Sequence, residues 1–388
     1  MDRAAPQTLD PGTPFLVDPK AQALCQTLEA AGHVALFVGG CVRNAVLGAP
    51  ASDIDISTDA LPDAVMRIAQ AAGYRAVPTG IDHGTVTVVI DGAAFEVTTF
   101  RRDVATDGRR AVVAFSTDVR EDALRRDFTM NALYADRHGV ILDPLGGLPD
   151  ARAGHVRFIE DAVQRIREDY LRTLRFFRFH AYYGDDSWDA DALAGIAANL
   201  DGLETLSAER VGAEMIKLLA AADPAPAVGV MEQTGVLVRV LPGAVTTFLA
   251  PVIHLEGLVG TAPDPLTRLA ALGGEDVGNR LRLSRKDQKT LDSMRELSTS
   301  PWGAKSVGHV GGKRAGIGAI LLRAAMANSP LDRQVVDDVT TGAKAIFPIA
   351  AKDFPDLSGP DLGARLNALK VAWLASDLTM TKNDLLAS

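Results

Sequence analysis

An apolar run ends in two adjacent glycines, Phe37-Val38-Gly39-Gly40-Cys41-Val42-Arg43-Asn44, and is followed nine residues on by Asp53-Ile54-Asp55. No other stretch constrains the chain as strongly. It reads as a strand, a glycine turn, a short helix starting with an arginine, and a second strand bearing two carboxylates. Residues i and i+2 of a strand point to one face, so Asp53 and Asp55 are expected to project together. Paired hard carboxylates suit Mg²⁺, which prefers oxygen ligands and shares its shell with substrate phosphates. Gly39 and Gly40 would let backbone N–H groups approach a phosphate, with Arg43 adding a cation at the helix start. A Gly-Gly pair alone reads as a turn, and a lone Asp-x-Asp as a solvated strand end. In combination they point to metal-assisted chemistry on a nucleoside triphosphate.

The surrounding pattern is mixed up to about residue 150. Asp18-Pro19 opens a helix that Gly32 closes. Strands are expected at Val34–Val38, Asp53–Ser57, Tyr74–Val77, Gly84–Ile90 and Ala93–Phe100, with helices at Val42–Leu47 and Pro62–Ala72. Asp91-Gly92 is a hairpin signal. Two further extended pieces, Ala132–Ala135 and Val140–Leu142, flank the turn-like Asp136-Arg137-His138-Gly139. Beyond 150 the apolar residues recur at three-to-four spacing, in Ala162–Tyr182, Ala208–Ala221 and Asp264–Leu272. The expected fold class is therefore an α/β head with a mixed sheet, followed by an all-α remainder.

At 388 residues, with 47% hydrophobic and 23% charged residues, the chain is long enough for several units with a real core. Its two cysteines, Cys25 and Cys41, lack metal-ligand spacing and indicate a reducing compartment. Asp2, Pro6, Asp10, Pro11 and Pro14 depart from the order of a signal peptide. The longest uncharged stretch, Val240–Leu255, contains Pro242 and Pro251 and is too short to span a bilayer. A cytoplasmic protein with no membrane role is expected. The net charge of −9 argues against nucleic acid only on average, because nine basic residues face three acidic ones between 280 and 314. Arg280, Arg282, Arg285, Lys286 and Lys289 lead that stretch. It reads equally as a phosphate-backbone grip and as a solvated helix face.

Four other segments bear on chemistry. Glu96 shares a face with Thr98 on Phe95–Phe100, and either completes a three-carboxylate metal site or faces solvent. Asp103–Arg110 is polar, carries a glycine and reads as a mobile loop. Arg125-Arg126-Asp127-Phe128-Thr129-Met130-Asn131 offers cations for phosphate and polar groups for ribose, or else is a helix-end charge cluster. In Glu168-Asp169-Tyr170-Leu171-Arg172-Thr173-Leu174-Arg175, the spacing predicts one helix with Asp169, Arg172 and Arg175 on one face. That face is either a surface ion-pair row or a reader of base edges. Cytosine and adenine each present an amine beside a ring-nitrogen acceptor, which Asp169 and Arg172 could match. Uracil and guanine would leave the Asp unpaired, at about 1–3 kcal/mol.

Taken together, Gly39–Asn44, Asp53–Asp55, Asp103–Arg110, Arg126–Ala132, Asp143-Pro144-Leu145-Gly146-Gly147, Glu168–Arg178, and Glu209-Arg210 with Glu214 and Lys217 resemble the class II tRNA nucleotidyltransferases. These CCA-adding enzymes share their head with bacterial poly(A) polymerases. The resemblance implies a polymerase-β-like head at 1–150, a helical neck at 151–220 and a helical body and tail at 221–388 that would bind tRNA. It implies CTP and ATP as substrates, Mg²⁺ held by Asp53 and Asp55, and nucleotide contacts from Gly39, Gly40, Arg43, Arg126, Asp127 and Asn131. It further implies base recognition by Asp169 and Arg172, supported by Glu168, Arg175 and Arg178. Asn44 departs from the family's usual Asp, which reduces its support of Arg43 to a hydrogen bond. No protein partner can be inferred.

The rivals are a poly(A) polymerase, an enzyme adding only CC or only A, and a non-catalytic RNA-binding homologue. Val77–Gly84 lacks the arginine-rich run expected of the first, the 103–110 segment favours full addition, and the intact carboxylates and base-reading pair oppose the last.

Overall fold

The computed structural model describes residues 7–107 and 110–388. The chain divides into two compact units, Met1–Thr205 and Leu206–Ser388, so the expected boundaries at 150 and 220 each fall inside a unit.

In the first unit Asp18 caps helix α1 (Pro19–Ala30), accepting from Lys20 N at 2.8 Å and Ala21 N at 2.9 Å. The fully buried β1 (Ala35–Val38) leads into α2 (Gly40–Leu47). Then follow β2 (Asp55–Thr58), α3 (Pro62–Ala71), β3 (Arg75–Gly80), β4 (Thr85–Ile90) and β5 (Ala93–Thr99). Asp91 and Gly92 both take positive φ, 45° and 81°, as a tight hairpin turn demands. The β4–β5 pairing therefore runs unbroken from Ile90↔Ala93 to Thr85↔Thr98.

Two further strands, β6 (Arg101–Asp107) and β7 (Arg110–Phe115), pair antiparallel as a separate ribbon. The loop expected over 103–110 is thus strand on both sides, with Gly108 and Arg109 outside the described residues. Helix α4 (Val119–Leu124), β8 (Tyr134–Ala135) and β9 (Ile141–Leu142) complete the head. The main sheet has seven strands in the order β3-β4-β5-β2-β1-β8-β9. Its β2 and β5 run parallel, which brings the start of β2 beside the middle of β5.

Helices α5 (Ala162–Glu168) and α6 (Leu171–Tyr183) are where the sequence predicts one continuous helix. Asp169 breaks it, with extended φ and ψ of −156° and 104°, and its Oδ1 accepts from Leu171 N at 3.1 Å to start α6. The long helix over 162–182 is corrected accordingly. Phe128, Phe158 and Phe176 are at most 2% exposed and their rings lie 5.0–6.3 Å apart. Burying each is worth about 1.5–3 kcal/mol, which anchors α6 to the 128–131 turn.

The second unit is built of helices, among them α7 (Ala208–Leu219), α8 (Leu249–Val259), α9 (Pro265–Leu272), α10 (Arg285–Ser298), α11 (Ala304–Ala327) and α12 (Gln334–Lys344). A buried ion pair joins two of them: Arg268 of α9, 1% exposed, donates to Glu256 of α8 at 2.9 Å. Its remaining nitrogens reach the carbonyls of Leu219, Ala221 and Ala222 at the end of α7. No helix among the described residues is long and apolar enough to cross a membrane.

Candidate active site

Gly39 joins β1 to α2 with φ 69° and ψ −120°, a conformation closed to residues with a Cβ. A Cβ there would also stand 3.4 Å from Arg126 Nη1, and one at Gly40 would stand 3.0 Å from Ser52 Oγ. The turn is therefore flanked by Arg126 on one side and by the segment entering β2 on the other.

Asp55 is the first residue of β2 and is in register with Glu96 of β5. Asp53 lies before the strand and is exposed, so the expected strand over 53–57 is corrected to Asp55–Thr58. Burial, with Glu96 and Asp53 adding to it and Arg126 opposing, pushes the Asp55 carboxyl up to about 6. The three carboxylates thus act on one another, and the local charge calls for a cation. The donors are all carboxylate oxygens, which fits a hard divalent ion. No group of three or more His, Cys, Asp or Glu among the described residues is placed to hold a metal ion by itself. Burial pushes the Cys25 thiol up to about 12 and the Cys41 thiol up to about 11, so neither offers a thiolate ligand.

Arg126 is fixed from behind. Its Nε donates to Tyr134 Oη at 3.1 Å and its Nη2 to Asp122 Oδ2 at 3.1 Å. Asp122 is wholly buried and also receives Arg125 Nε and Tyr134 Oη. Burial alone would raise its carboxyl, yet Arg126, Arg125 and Tyr134 outweigh that and hold it at about 2. Asp122 and Tyr134 carry no signal in the sequence beyond being one polar and one apolar position.

Arg43 is braced from within the protein. It is 5% exposed, and its nitrogens bond within the protein. Nε and Nη2 donate to Asn44 Oδ1 at 3.1 and 2.8 Å, Nη2 also to Tyr183 Oη at 2.8 Å, and Nη1 to Asn131 Oδ1. Its guanidinium stacks over the Tyr183 ring at 4.0 Å. The cation expected at the helix start is here a buried brace, and Asn44 supports it by the expected hydrogen bond.

Asp127 and Asn131 are buried too. Asp127 pairs with Arg175, whose Nε approaches to 2.7 Å, and accepts from Asn131 Nδ2 and Phe128 N, both at 2.9 Å. Burial would raise its carboxyl, but Arg175 and Asn131 hold it at about 2. Both residues thus belong to a network that runs from α6 to α2. Gly147 supports them from below: a Cβ there would strike Thr129 O at 2.1 Å. Asp143 holds that glycine turn by accepting from Gly147 N at 2.8 Å and Leu148 N at 2.9 Å.

The base-reading residues do not share one helix, because Asp169 sits in the break and Arg172 in the first turn of α6. Arg172 donates to Glu168, to Arg165 O at 3.0 Å and to Arg125 O at 3.0 Å. Arg43, Arg175 and Arg178 surround the Phe179 ring at 5.1, 5.3 and 4.7 Å.

In the second unit Arg280, Arg282, Arg285, Lys286 and Lys289 are all exposed. Arg282 meets Glu209 at 3.3 Å with both side chains over 60% exposed, a pair worth under about 1 kcal/mol. The rest of the basic stretch is partly spent: Arg314 pairs with Asp264 and Asp287, and Arg295 donates to Gly273 O.

Residues 35–157 match the Poly A polymerase head domain family, and residues 189–246 match the family described as "Probable RNA and SrmB- binding site of polymerase A". The latter ends before the basic stretch at 280. The chain is 42% identical over 226 residues to the CCA-adding enzyme of Geobacillus thermodenitrificans, covering 58% of this chain and 54% of that relative. It thus spans about half the length of that bacterial protein. It is 31% identical to the mitochondrial CCA tRNA nucleotidyltransferase 1 of Mus musculus, over 94% of this chain and 88% of the relative. The crystal structure of the Bacillus stearothermophilus CCA-adding enzyme in complex with CTP superposes with a TM-score of 0.76 at 29% identity, over 96% of this chain and 97% of that one. The Thermotoga maritima CCA-adding enzyme complexed with tRNA shares the fold, with a TM-score of 0.69 at 18% identity and 98% coverage of both chains.

Proposed function

The chain belongs to the CCA tRNA nucleotidyltransferase family, and from that membership we propose that it adds CCA to the 3′ end of tRNA from CTP and ATP without a template. The observation that carries this reading is the Asp53, Asp55 and Glu96 group beside the Gly39 turn, with Arg126 on its other flank. In this proposal Asp53 and Asp55 hold a divalent cation, Mg²⁺, with Glu96 alongside. When bound, such an ion offsets triphosphate charge and eases loss of the proton from an attacking hydroxyl. Arg126, pinned by Asp122 and Tyr134, presents its Nη1 to the triphosphate, and Gly39 and Gly40 keep the approach to the α2 backbone open. Buried thiols without disulfides fit a reducing, cytoplasmic setting.

Asp169 is the proposed base reader, accepting from the amine common to cytosine and adenine, with Arg172 as its neighbour on the ring nitrogen. Residues 1–150 serve as head, 151–220 as neck and 221–388 as the body and tail that grip tRNA. The test is incorporation of each of the four nucleotides onto tRNA trimmed of CCA. Wild type should add two C and one A; A alone in long runs, or C alone, would identify the poly(A) and partial-addition rivals. Asp169→Ala should lose discrimination against UTP and GTP by about 1–3 kcal/mol, or roughly ten- to 150-fold in relative kcat/KM. A variant that loses activity yet still rejects UTP as strictly as wild type removes Asp169 from this role.

The exposed basic residues at the start of α10 are proposed to contact tRNA backbone. Reversing Arg282, Arg285 and Lys289 to Glu should raise the KM for tRNA and lower the slope of log K against log salt by about 2–3, leaving the KM for CTP in place. An unaltered salt slope returns the segment to a solvated face.

A further inference from the structure

We infer that Tyr183 is a positioning residue for the catalytic turn, acting through Arg43. The inference rests on the catalytic reading above and goes beyond it, since Tyr183 belongs to none of the motifs that carry the resemblance.

Tyr183 is the last residue of α6, the helix that also carries Arg172 and Arg175. It makes two contacts with Arg43: its ring lies 4.0 Å from the guanidinium carbon, and its hydroxyl accepts from Nη2 at 2.8 Å. A stacked and hydrogen-bonded guanidinium is held in both tilt and rotation, which a point charge would not be. The other end of α6 reaches the same arginine by a second route. Arg175 pairs with Asp127, Asp127 accepts from Asn131, and Asn131 accepts from Arg43. Arg43 is therefore gripped from two points two turns apart on one helix.

What Arg43 supports is the site itself. Its backbone N–H donates to Gly39 O at 2.9 Å, and its Nη2 lies 3.8 Å from where a Cβ of Gly40 would be. That same Cβ position is 3.0 Å from Ser52 Oγ, and Ser52 directly precedes Asp53. Asn44, which shares Nη2 with Tyr183, in turn donates to Pro50 O at 2.7 Å on the segment leading to Asp53. A shift of the guanidinium is thus passed to the glycine turn and to the Asp53 segment together. Misplacement of reacting groups by about 1 Å costs on the order of 10²-fold in rate. Tyr183 places the helix that bears the base-reading and Asp127-binding arginines in mechanical register with the carboxylates.

The test compares Tyr183→Phe, which keeps the stack, with Tyr183→Leu, which loses both contacts, in steady-state addition of the first C to trimmed tRNA. Tyr183→Leu should lower kcat roughly 10- to 100-fold with the KM for tRNA unchanged, and Tyr183→Phe should restore most of the loss. A kcat for Tyr183→Leu within tenfold of wild type, or a loss that Tyr183→Phe shares in full, overturns the inference. If Tyr183→Leu does not fold, Tyr183→Met, which also loses both contacts, and Arg43→Lys give the same reading as a cycle: the double variant should be no slower than the slower single. Fully multiplicative losses overturn it. Wild type run in parallel separates the two readings, since a wild type that adds no nucleotide defeats the proposed function, whereas an active wild type matched by Tyr183→Leu defeats only this inference.

Discussion

Asp55→Asn is expected to abolish nucleotide addition while leaving the metal-free protein more stable than wild type. In the folded protein burial, Glu96 and Asp53 raise the Asp55 carboxyl from 3.8 to about 6. A carboxyl with a raised folded value binds more protons folded than unfolded across that window, so stability falls as pH rises through it and the penalty is complete above about pH 6. A neutral amide removes the penalty, a gain of about 1–2 kcal/mol at pH 7 once screening of this partly accessible group is allowed for. The activity loss should reach roughly 10³-fold or more, about 4 kcal/mol, because the amide no longer holds the cation against the triphosphate. A divalent cation should raise the melting temperature of wild type and not of the variant, and adding chelator should erase that difference. Retained activity within tenfold of wild type, or an equal cation-induced shift in both proteins, would remove Asp55 from the metal site.

The parts of this site that local chemistry decides are legible in the sequence. Asp91-Gly92 demands positive φ and makes its hairpin whatever surrounds it. Gly39 must occupy a conformation no other residue takes, so the two glycines alone mark the turn beside the carboxylates. Over Asp103–Arg110 the polarity of the residues suggests a loop and hides the ribbon β6–β7. The break at Asp169 is hidden for a related reason. No glycine or proline marks it; an Asp capping a new helix does, and in sequence that Asp looks the same as a carboxylate on a helix face. Partner choice lies beyond the sequence altogether. Arg43, Asp127, Asn131 and Arg175 all have the chemistry to meet a ligand, yet they satisfy one another across sequence separations of 48 and 88 residues. Burial of a charged group requires a partner, but which partner is a property of the assembled fold.

Arg268→Met is expected to be the most destabilising substitution in the second unit. Arg268 is 1% exposed and Glu256 3%, and the pair lies 2.8–2.9 Å apart. Methionine fills much of the same volume, so the cost comes from what is left behind: a buried carboxylate without its cation and the carbonyls of Leu219, Ala221 and Ala222 without their donor. Breaking a buried pair from one side costs about 3–5 kcal/mol, which in a unit of this size lowers the melting temperature by roughly 10 °C. Removing both charges, as Arg268→Met with Glu256→Gln, should recover the part of that loss that belongs to the stranded charge, while the three carbonyls still lack their donor. The pH dependence gives an independent sign. Burial already raises the Glu256 carboxyl above its ordinary 4.5, and Arg268 opposes that rise. Without Arg268 the carboxyl rises further, so the folded variant takes up a proton that the unfolded chain lacks above its ordinary value. Its deficit against wild type should therefore widen as pH rises from 4.5 toward neutrality and narrow below it. Melting curves of wild type, single and double variants between pH 4 and 8 test this. A deficit that stays constant across that range, or a double variant as unstable as the single, would place the cost in lost packing rather than in the uncompensated charge.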